Sequence, residues 1–564
     1  MAFLDWIVIA LFCLALIGII VWVMRQKQNN AADYFLGGKD ATWIAIGASI
    51  FASNIGSEHL IGLAGSGASS GMAMAHWEIQ GWMILILGWV FVPFYTRSMV
   101  YTMPEFLEKR FNPQSRTILA TISLISYVLT KVAVTVYAGG LVFQQVFGID
   151  ELWGIDFFWI AAVGLVLITA LYTIFGGMKS VLYTSVLQTP ILLLGSLIIL
   201  VLGLKELGGW DEMMRICSSV KVNEYGDTMT NLIRNNGDPQ YPWLGALIGS
   251  AVIGFWYWCT DQFIVQRVLS GKNEKESRRG TIFGAYLKLL PVFLFLIPGM
   301  IAFALHQNLG DFLPLNANGM PNSDAAFPTL VAKLLPAGVK GLIVCGILAA
   351  LMSSLASLFN SSAALFTIDF YQRFRPDTEP KKLVRIGQAA TVVIVILGIL
   401  WIPVMRSIGD VLYLYLQDVQ SVLAPGIASA FLIGILWKRA SAQGGMWALL
   451  SGLIVGLTRL GAKIYYTTQG IVPGQNPDAS LFQRVFFDEN WLFFCGWMLL
   501  FCLLVGVTVS LCTKAPETAK IQGLVFGTST PEQRAETSAS WNHWDVIHSI
   551  IILGITAAFY IYFW

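Results

Sequence analysis

Charge is what this chain has least of. Only 12% of its 564 residues are Asp, Glu, Lys or Arg, against 56% apolar, where a soluble domain carries about a quarter charged residues. That scarcity excludes a soluble enzyme and leaves a polytopic membrane protein. The formal net charge of +2 is too small to suggest a nucleic-acid partner. Cysteine is sparse and unpaired. Cys13, Cys217, Cys259, Cys345, Cys495, Cys502 and Cys512 form no CxxC pair, and only Cys217 lies in a long polar loop. Neither a disulfide framework nor a metal cluster follows from them. No GxxxxGK[ST] loop occurs, so nothing marks an ATP-driven pump. The long loop 207–241 lacks an N-x-[ST] acceptor. A cleavable leader is not expected, because the first apolar run is too long for a signal-peptide core and reads as a retained helix.

Apolar runs fill the chain instead. A span needs about 20 largely apolar residues. Fourteen are expected, at 4–24, 42–71, 77–99, 116–147, 156–175, 180–206, 242–268, 279–305, 338–370, 383–406, 411–437, 443–464, 490–513 and 544–564. Several exceed a minimal span, so tilt or interruption is expected. Lys and Arg collect in alternate loops: Arg25, Lys27 and Lys39; Lys109, Arg110 and Arg116; Lys272, Lys275, Arg278 and Arg279; Arg373, Arg375, Lys381, Lys382 and Arg385; Lys438 and Arg439. These loops are cytoplasmic by the positive-inside rule. Both termini and the loops 207–241 and 306–337 are then extracytoplasmic.

The few charges inside spans are functional candidates, although structural pairing is common. They are Glu58 and His59, Glu78, Lys131, Asp261 and Arg267, Lys288, Asp369 and Asp418. Asp369 reads as a cytoplasmic-end residue, Lys131 as a snorkelling lysine. Asp261 and Arg267 read as structural, paired with neighbours or with helix ends. Lys288 sits nine residues past Arg279, roughly 13 Å up a helix and too deep to snorkel. Glu78 is its natural counter-charge. Two segments combine polarity with helix-breaking character: FASNIGSEH in the second span and GFWYWCTDQ in the seventh. Five spans apart, they cross in opposite senses, the arrangement of inverted-repeat transporters whose broken helices meet at the midplane. Carbonyls freed at such breaks must face protein, water or an ion. The following GLAGSGASSG reads as a small-residue packing face.

From ADYFLGGK to WKR the sequence resembles the sodium/glucose cotransporters of the solute:sodium symporter family. IGASIFASNIGSEHLIGLAGSG, YTMPEFLEKRF, ALYTIFGGMKSVLYTSVLQT, WYWCTDQFIVQR, YLKLLPVFLFLIPGM, ALMSSLASLFNSSAALFTIDFY and GILWKR carry the likeness. It implies an all-α fold with a LeuT-type 5+5 inverted-repeat core. On that plan residues 1–41 are an extra helix and linker, and 42–206 the first repeat. An external loop follows at 207–241, the second repeat at 242–437, and three peripheral helices at 438–564.

The resemblance implies one Na+ site, made of the carbonyls of Ala52, Ile55 and Ala350 and the hydroxyls of Ser353 and Ser354. Oxygen ligands suit a hard cation. Members that take a second ion carry Asp where this chain has Ser185, and a hydroxyl where it has Ala356, so one Na+ per substrate is expected. The implied substrate positions are Asn54, His59, Glu78, Tyr257, Lys288 and Gln417, groups that match the donors and acceptors of a polyhydroxylated ring. Tyr257 with Trp258 would form an inner gate. Leu63, Trp77 and Tyr413 would form an outer gate, and Tyr137 would line the pathway; for Trp77 and Tyr413, ordinary aromatic packing is an equal reading. Two positions depart from the family: Gly254 stands where an Asn or Thr contacts sugar, and Ile79 where many members have Trp. Glu58 before His59 is similar to the myo-inositol branch.

The expected function is Na+-driven uptake of a hexose such as glucose or galactose through a cell membrane, by alternating access. The alternatives are myo-inositol symport, amino-acid or carboxylate symport, and a non-concentrating sugar sensor or channel. No nucleophile–base pair marks an enzyme, and no protein partner beyond the bilayer is implied.

Overall fold

The computed structural model describes all residues except 27, 57, 316–318 and 409–411, and the backbone alone at 129, 130, 145, 404–408 and 412–416. Apart from a short hairpin at Glu151–Leu152 and Ile155–Asp156, its regular structure is helical. The first helix, α1 (Phe3–Met24), buries Phe12, Leu16 and Val23 and exposes much of its apolar remainder, as a peripheral span does.

Among the described residues, eleven helices are long and apolar enough to cross a membrane. The difference from fourteen has a local cause. Broken helices fall below span length: α2 (Trp43–Asn54) stops early, and Ala133–Gln144 is apolar but short. Others run together. The segment Glu58–Ser98 covers 41 residues and gathers α3 (Ala64–Ser70), α4 (Ala75–Glu78) and α5 (Gly81–Ile86). Further on, α6 (Phe157–Leu207) has 51 residues, about 76 Å of helix at 1.5 Å per residue and enough for two crossings. At Gly177 (φ 53°, ψ −147°) it turns sharply. A side chain there would strike the carbonyl of Tyr34, so only glycine serves both the angle and the approach. The turn separates two lengths that match the expected spans 156–175 and 180–206.

Two breaks place the site. Helix α2 ends at Asn54 and Ile55 is extended (φ −81°, ψ 108°); the chain resumes as a π-helical turn, Glu58–Leu63, that leads into α3. In the second half, α7 (Trp243–Gly254) passes into the π-helical Phe255–Thr260 and stops at extended Asp261 (φ −77°, ψ 128°) before α8 (Gln262–Leu269). Helix α9 (Glu274–Lys288) packs along α2, with Gly47 against Phe283 and Gly280 against Ile46. Next, α10 (Ile297–Leu309) meets α3 backbone to backbone: Gly67 lies on the Leu296 carbonyl and Gly299 on that of Ala64. Small residues are what allow so close an approach. Against the break lies α11 (Val339–Ala364), which also packs along α6. Gln417 projects from α12 (Leu412–Leu436), and the last helix, α13 (His543–Tyr562), covers α5 and α9.

The basic loops gather at one end. Arg97 donates to Ser529, Lys520 to the Phe111 carbonyl, Arg279 to Asp545, and Arg116 to Asp369 across 2.6 Å. Asp369 therefore lies beside the basic loop that holds Arg116.

Candidate substrate and ion site

The backbone break at 55 brings six side chains round one cavity. Asn54, His59, Glu78, Tyr257, Lys288 and Gln417 all line it, so every residue singled out for substrate falls on one wall or another. Trp77 and Trp258 also line it. Five further residues complete the lining: Gly254, at the position where family members contact sugar, Glu58, and Gln80, Ile253 and Gln420, which were not singled out for substrate. The cavity measures about 50 Å3 in space open to water centres, room for a few waters.

Its polar wall is connected. Lys288 Nζ donates to Glu78 Oε2 across 2.6 Å and to Asn54 Oδ1 across 3.0 Å. Asn54 Nδ2 donates to the Tyr257 hydroxyl at 3.2 Å. The expected Lys288–Glu78 pairing is present, with both groups buried, which is how a membrane interior tolerates either charge. His59 Nε2 approaches Glu78 Oε2 to 3.3 Å, but not in hydrogen-bond alignment. Among the described residues, neither ring nitrogen of His59, nor Trp77 Nε1, nor Gln417 Oε1 has a hydrogen-bond partner, although all are buried. Aromatic rings flank the polar wall. Trp77 stacks on Trp491 at 5.6 Å, and Tyr257 meets Trp258 edge to face at 4.9 Å. Leu63 is buried in the core, and Tyr137 packs edge to face on Phe158 at 5.5 Å; neither lines the cavity. The side chain of Tyr413 lies outside the described residues.

Beside the break, oxygens converge. Ser354 Oγ donates to the Ile55 carbonyl at 3.1 Å and to the Ser53 carbonyl at 2.9 Å. Ser353 Oγ lies 3.3 Å from Ser185 Oγ, which is 3.4 Å from Ser49 Oγ. Ala52 and Ala350 are buried on α2 and α11, which pack together here. These are neutral oxygens in a buried place, a donor set that suits Na+. Ser53, Ser49 and Ser185 join the cluster without having been singled out as ligands. Their signal in the sequence was hydroxyls recurring along an otherwise apolar span.

A third cluster corrects the sequence reading. Lys131 does not snorkel: it is buried and lies 2.6 Å from Asp261 Oδ2. Asp261 also accepts from the Tyr127 hydroxyl and caps α8 through Phe263 N. Arg267 donates to Ser53 Oγ at 3.1 Å, so both Asp261 and Arg267 are held by neighbours.

A family model described as "Sodium:solute symporter family" matches residues 34–452. The chain belongs to the sodium:solute symporter family. As a member it is a Na+-coupled solute symporter, a multi-pass membrane transporter and not an enzyme. Among its relatives is the mouse sodium/myo-inositol cotransporter 2, 37% identical over 93% of this chain and 79% of that protein. The dog sodium/myo-inositol cotransporter is 36% identical over 93% and 75%. The zebrafish sodium/glucose cotransporter 4 is 35% identical over 95% and 83%. A Na+-coupled sialic acid symporter solved in a substrate-bound outward-open state shares the fold, with a TM-score of 0.72, 23% identity and coverage of 92% and 99%.

Proposed function

We propose that this symporter carries a neutral cyclic polyol or hexose inward with one Na+, and that myo-inositol stands ahead of glucose as its substrate. The observation that carries the reading is the set of partnerless buried polar atoms on His59, Trp77 and Gln417 round a cavity already holding Lys288, Glu78 and Asn54. Buried polar groups are nearly always satisfied. A ring bearing hydroxyls, each both donor and acceptor, would satisfy them without bringing in charge. The names of the relatives at 36–37% identity, and Glu58 beside His59, favour the inositol over the sequence-based first choice of a hexose. An anionic substrate is disfavoured, since Glu78 already occupies Lys288.

On this reading Asn54, His59, Glu78, Tyr257, Lys288 and Gln417 hold substrate. Tyr257 and Trp258 close the inner side; Leu63, Trp77 and Tyr413 close the outer side, with Tyr137 along the pathway. Na+ binds the carbonyls of Ala52, Ile55 and Ala350 with Ser353 and Ser354, displacing the Ser354 contact to Ile55 and fixing the break against α11. The chain is divided as a fourteen-span 5+5 core, with both termini outside the cytoplasm of a cell membrane. Na+ and substrate favour the same outward state, so coupling is differential binding. One charge crossing 100 mV supplies about 2.3 kcal/mol, and a tenfold Na+ gradient about 1.4 kcal/mol. Together they sustain accumulation of a few hundredfold.

The test is uptake into sealed proteoliposomes, with and without a Na+ gradient, by competition among myo-inositol, glucose, galactose, proline and sialic acid. Gradient-dependent accumulation displaced by myo-inositol or the hexoses is expected. Displacement by proline or sialic acid alone would overturn the reading, and equilibration without accumulation would make the protein a channel or sensor.

A further inference from the structure

Gln80 stands two residues beyond Glu78, at the start of α5, and is 3% exposed. Its carboxamide is held from both ends: Nε2 donates to the Ser250 carbonyl at 2.8 Å, and Oε1 accepts from Trp258 Nε1 at 3.1 Å. Because one partner is a pure acceptor and the other a pure donor, the orientation of the amide is fixed. The space it fills exists because position 254 has no side chain. A Cβ on Gly254 would lie 2.6 Å from Gln80 Oε1, 2.8 Å from Cδ and 2.9 Å from Nε2. The whole carboxamide thus stands where a side chain from α7 would project. Both residues line the substrate cavity, and so does Trp258.

We propose that Gln80 is a specificity-determining residue of the transport site, taking over from α5 the polar position that residue 254 leaves empty on α7 and orienting Trp258. This rests on the reading of the cavity as a polyol site. Two hydrogen-bonding positions of a carboxamide are used by protein; the second Nε2 hydrogen and the second Oε1 lone pair are left for ligand. One donor and one acceptor side by side suit a vicinal pair of hydroxyls. The pair is presented two residues beyond Glu78, where α4 ends and α5 begins, so the ring hydroxyls read by Gln80 neighbour those read by Glu78. The same amide fixes the indole of Trp258, which meets Tyr257 edge to face. Gln80 therefore links ligand recognition to the aromatic side of the cavity.

The experiment compares wild type, Gln80→Ala, Gly254→Thr and the double variant in proteoliposomes, measuring initial Na+-driven uptake of myo-inositol and glucose separately and normalising to reconstituted protein. Gln80→Ala is expected to raise KM for the preferred substrate roughly tenfold, the scale of one lost hydrogen bond, and to change the myo-inositol to glucose ratio while Vmax falls less. Gly254→Thr is expected to lose most uptake, since the carboxamide must leave both partners to make room. The double variant is expected to recover it with an altered ratio. A double variant no better than Gly254→Thr would overturn the shared-space assignment. Equal losses for both substrates in Gln80→Ala, with the ratio unmoved, would reduce Gln80 to a packing residue. If Gly254→Thr fails to reconstitute, the Gln80→Ala ratio alone decides. Wild type that takes up neither substrate against a working Na+ gradient would instead overturn the polyol reading.

Discussion

Lys131 and Asp261 meet 2.6 Å apart inside the protein, joining the π-helical turn Tyr127–Val132 to the residue at which the seventh span breaks. Lys131 also lies within 5.1 Å of the ring centres of Tyr127, Trp256, Tyr257 and Phe263. The break is thus pinned by a charge pair with an aromatic surround. Removing one partner of such a pair leaves an uncompensated buried charge and costs about 3–5 kcal/mol. Asp261→Ala and Lys131→Ala are expected to lower the melting temperature and abolish uptake. The double change Lys131→Met with Asp261→Leu is expected to regain stability, measured by thermal unfolding in detergent, without regaining transport.

The sodium assignment is tested at Ser354. Its hydroxyl is the one side-chain group among the described residues seen donating to both the Ser53 and Ile55 carbonyls. Ser354→Ala is expected to raise the Na+ concentration for half-maximal uptake by tenfold or more, roughly the loss of one charge-assisted contact, with folding retained. Unchanged Na+ dependence would remove Ser354 from the site.

The proposed stoichiometry of one Na+ is tested through Ser185. Its hydroxyl lies between those of Ser49 and Ser353, a neutral group where two-ion members carry Asp. Simultaneous measurement of charge and labelled substrate is expected to give one charge per substrate. A ratio of two would refute the single-ion reading.

The loop 207–241 carries a pH signature. Burial would raise the Asp238 carboxyl, but N–H groups of Tyr241 and Gln240, the Asn223 amide and Arg234 outweigh it and hold it below its ordinary 3.8. A carboxylate whose folded pKa is lowered gives stability that is present above the unfolded value and lost as pH falls through the folded one. Hydrogen-exchange protection of residues 229–241 is therefore expected to hold down to about pH 4 and to fall below it. Asp238→Asn is expected to show the loss already at neutral pH, confined to this loop, which reaches the transport core through Arg234 on the Ser70 carbonyl and Met72 N on the Met229 carbonyl.

Much of the site was legible because a membrane interior makes polarity conspicuous. Asn54, His59, Glu78 and Lys288 stand out in apolar runs, and each lines the cavity. The two breaks were legible for the same reason, through Gly56 and the polar stretch ending at Asp261. One partnership at a distance could be read, that of Lys288 with Glu78, but the partner of Lys131 could not. Lys131 and Asp261 are 130 residues apart in sequence, and nothing local tells a paired lysine from a snorkelling one. Gln80 was overlooked because a lone Gln beside Glu78 resembles the ordinary polar entry of a span. Its meaning appears only when Gly254 arrives from another helix. The turn within Phe157–Leu207 was legible by contrast, since the expected spans end at 175 and resume at 180 and the backbone turns at Gly177 between them.

The extended residue Ile55 ties two chemistries to one peptide. Its carbonyl takes the hydroxyl of Ser354, while the preceding Asn54 takes Lys288 and gives to Tyr257. Under the proposed assignment, ion and substrate would be read by adjoining units of the same unwound strand. No cable has to run between two distant receptors, because tightening the strand on one side sets its pitch on the other. Under that assignment a substitution at Asn54 is expected to shift apparent sodium affinity as well as substrate affinity, so that the two constants would move as one quantity.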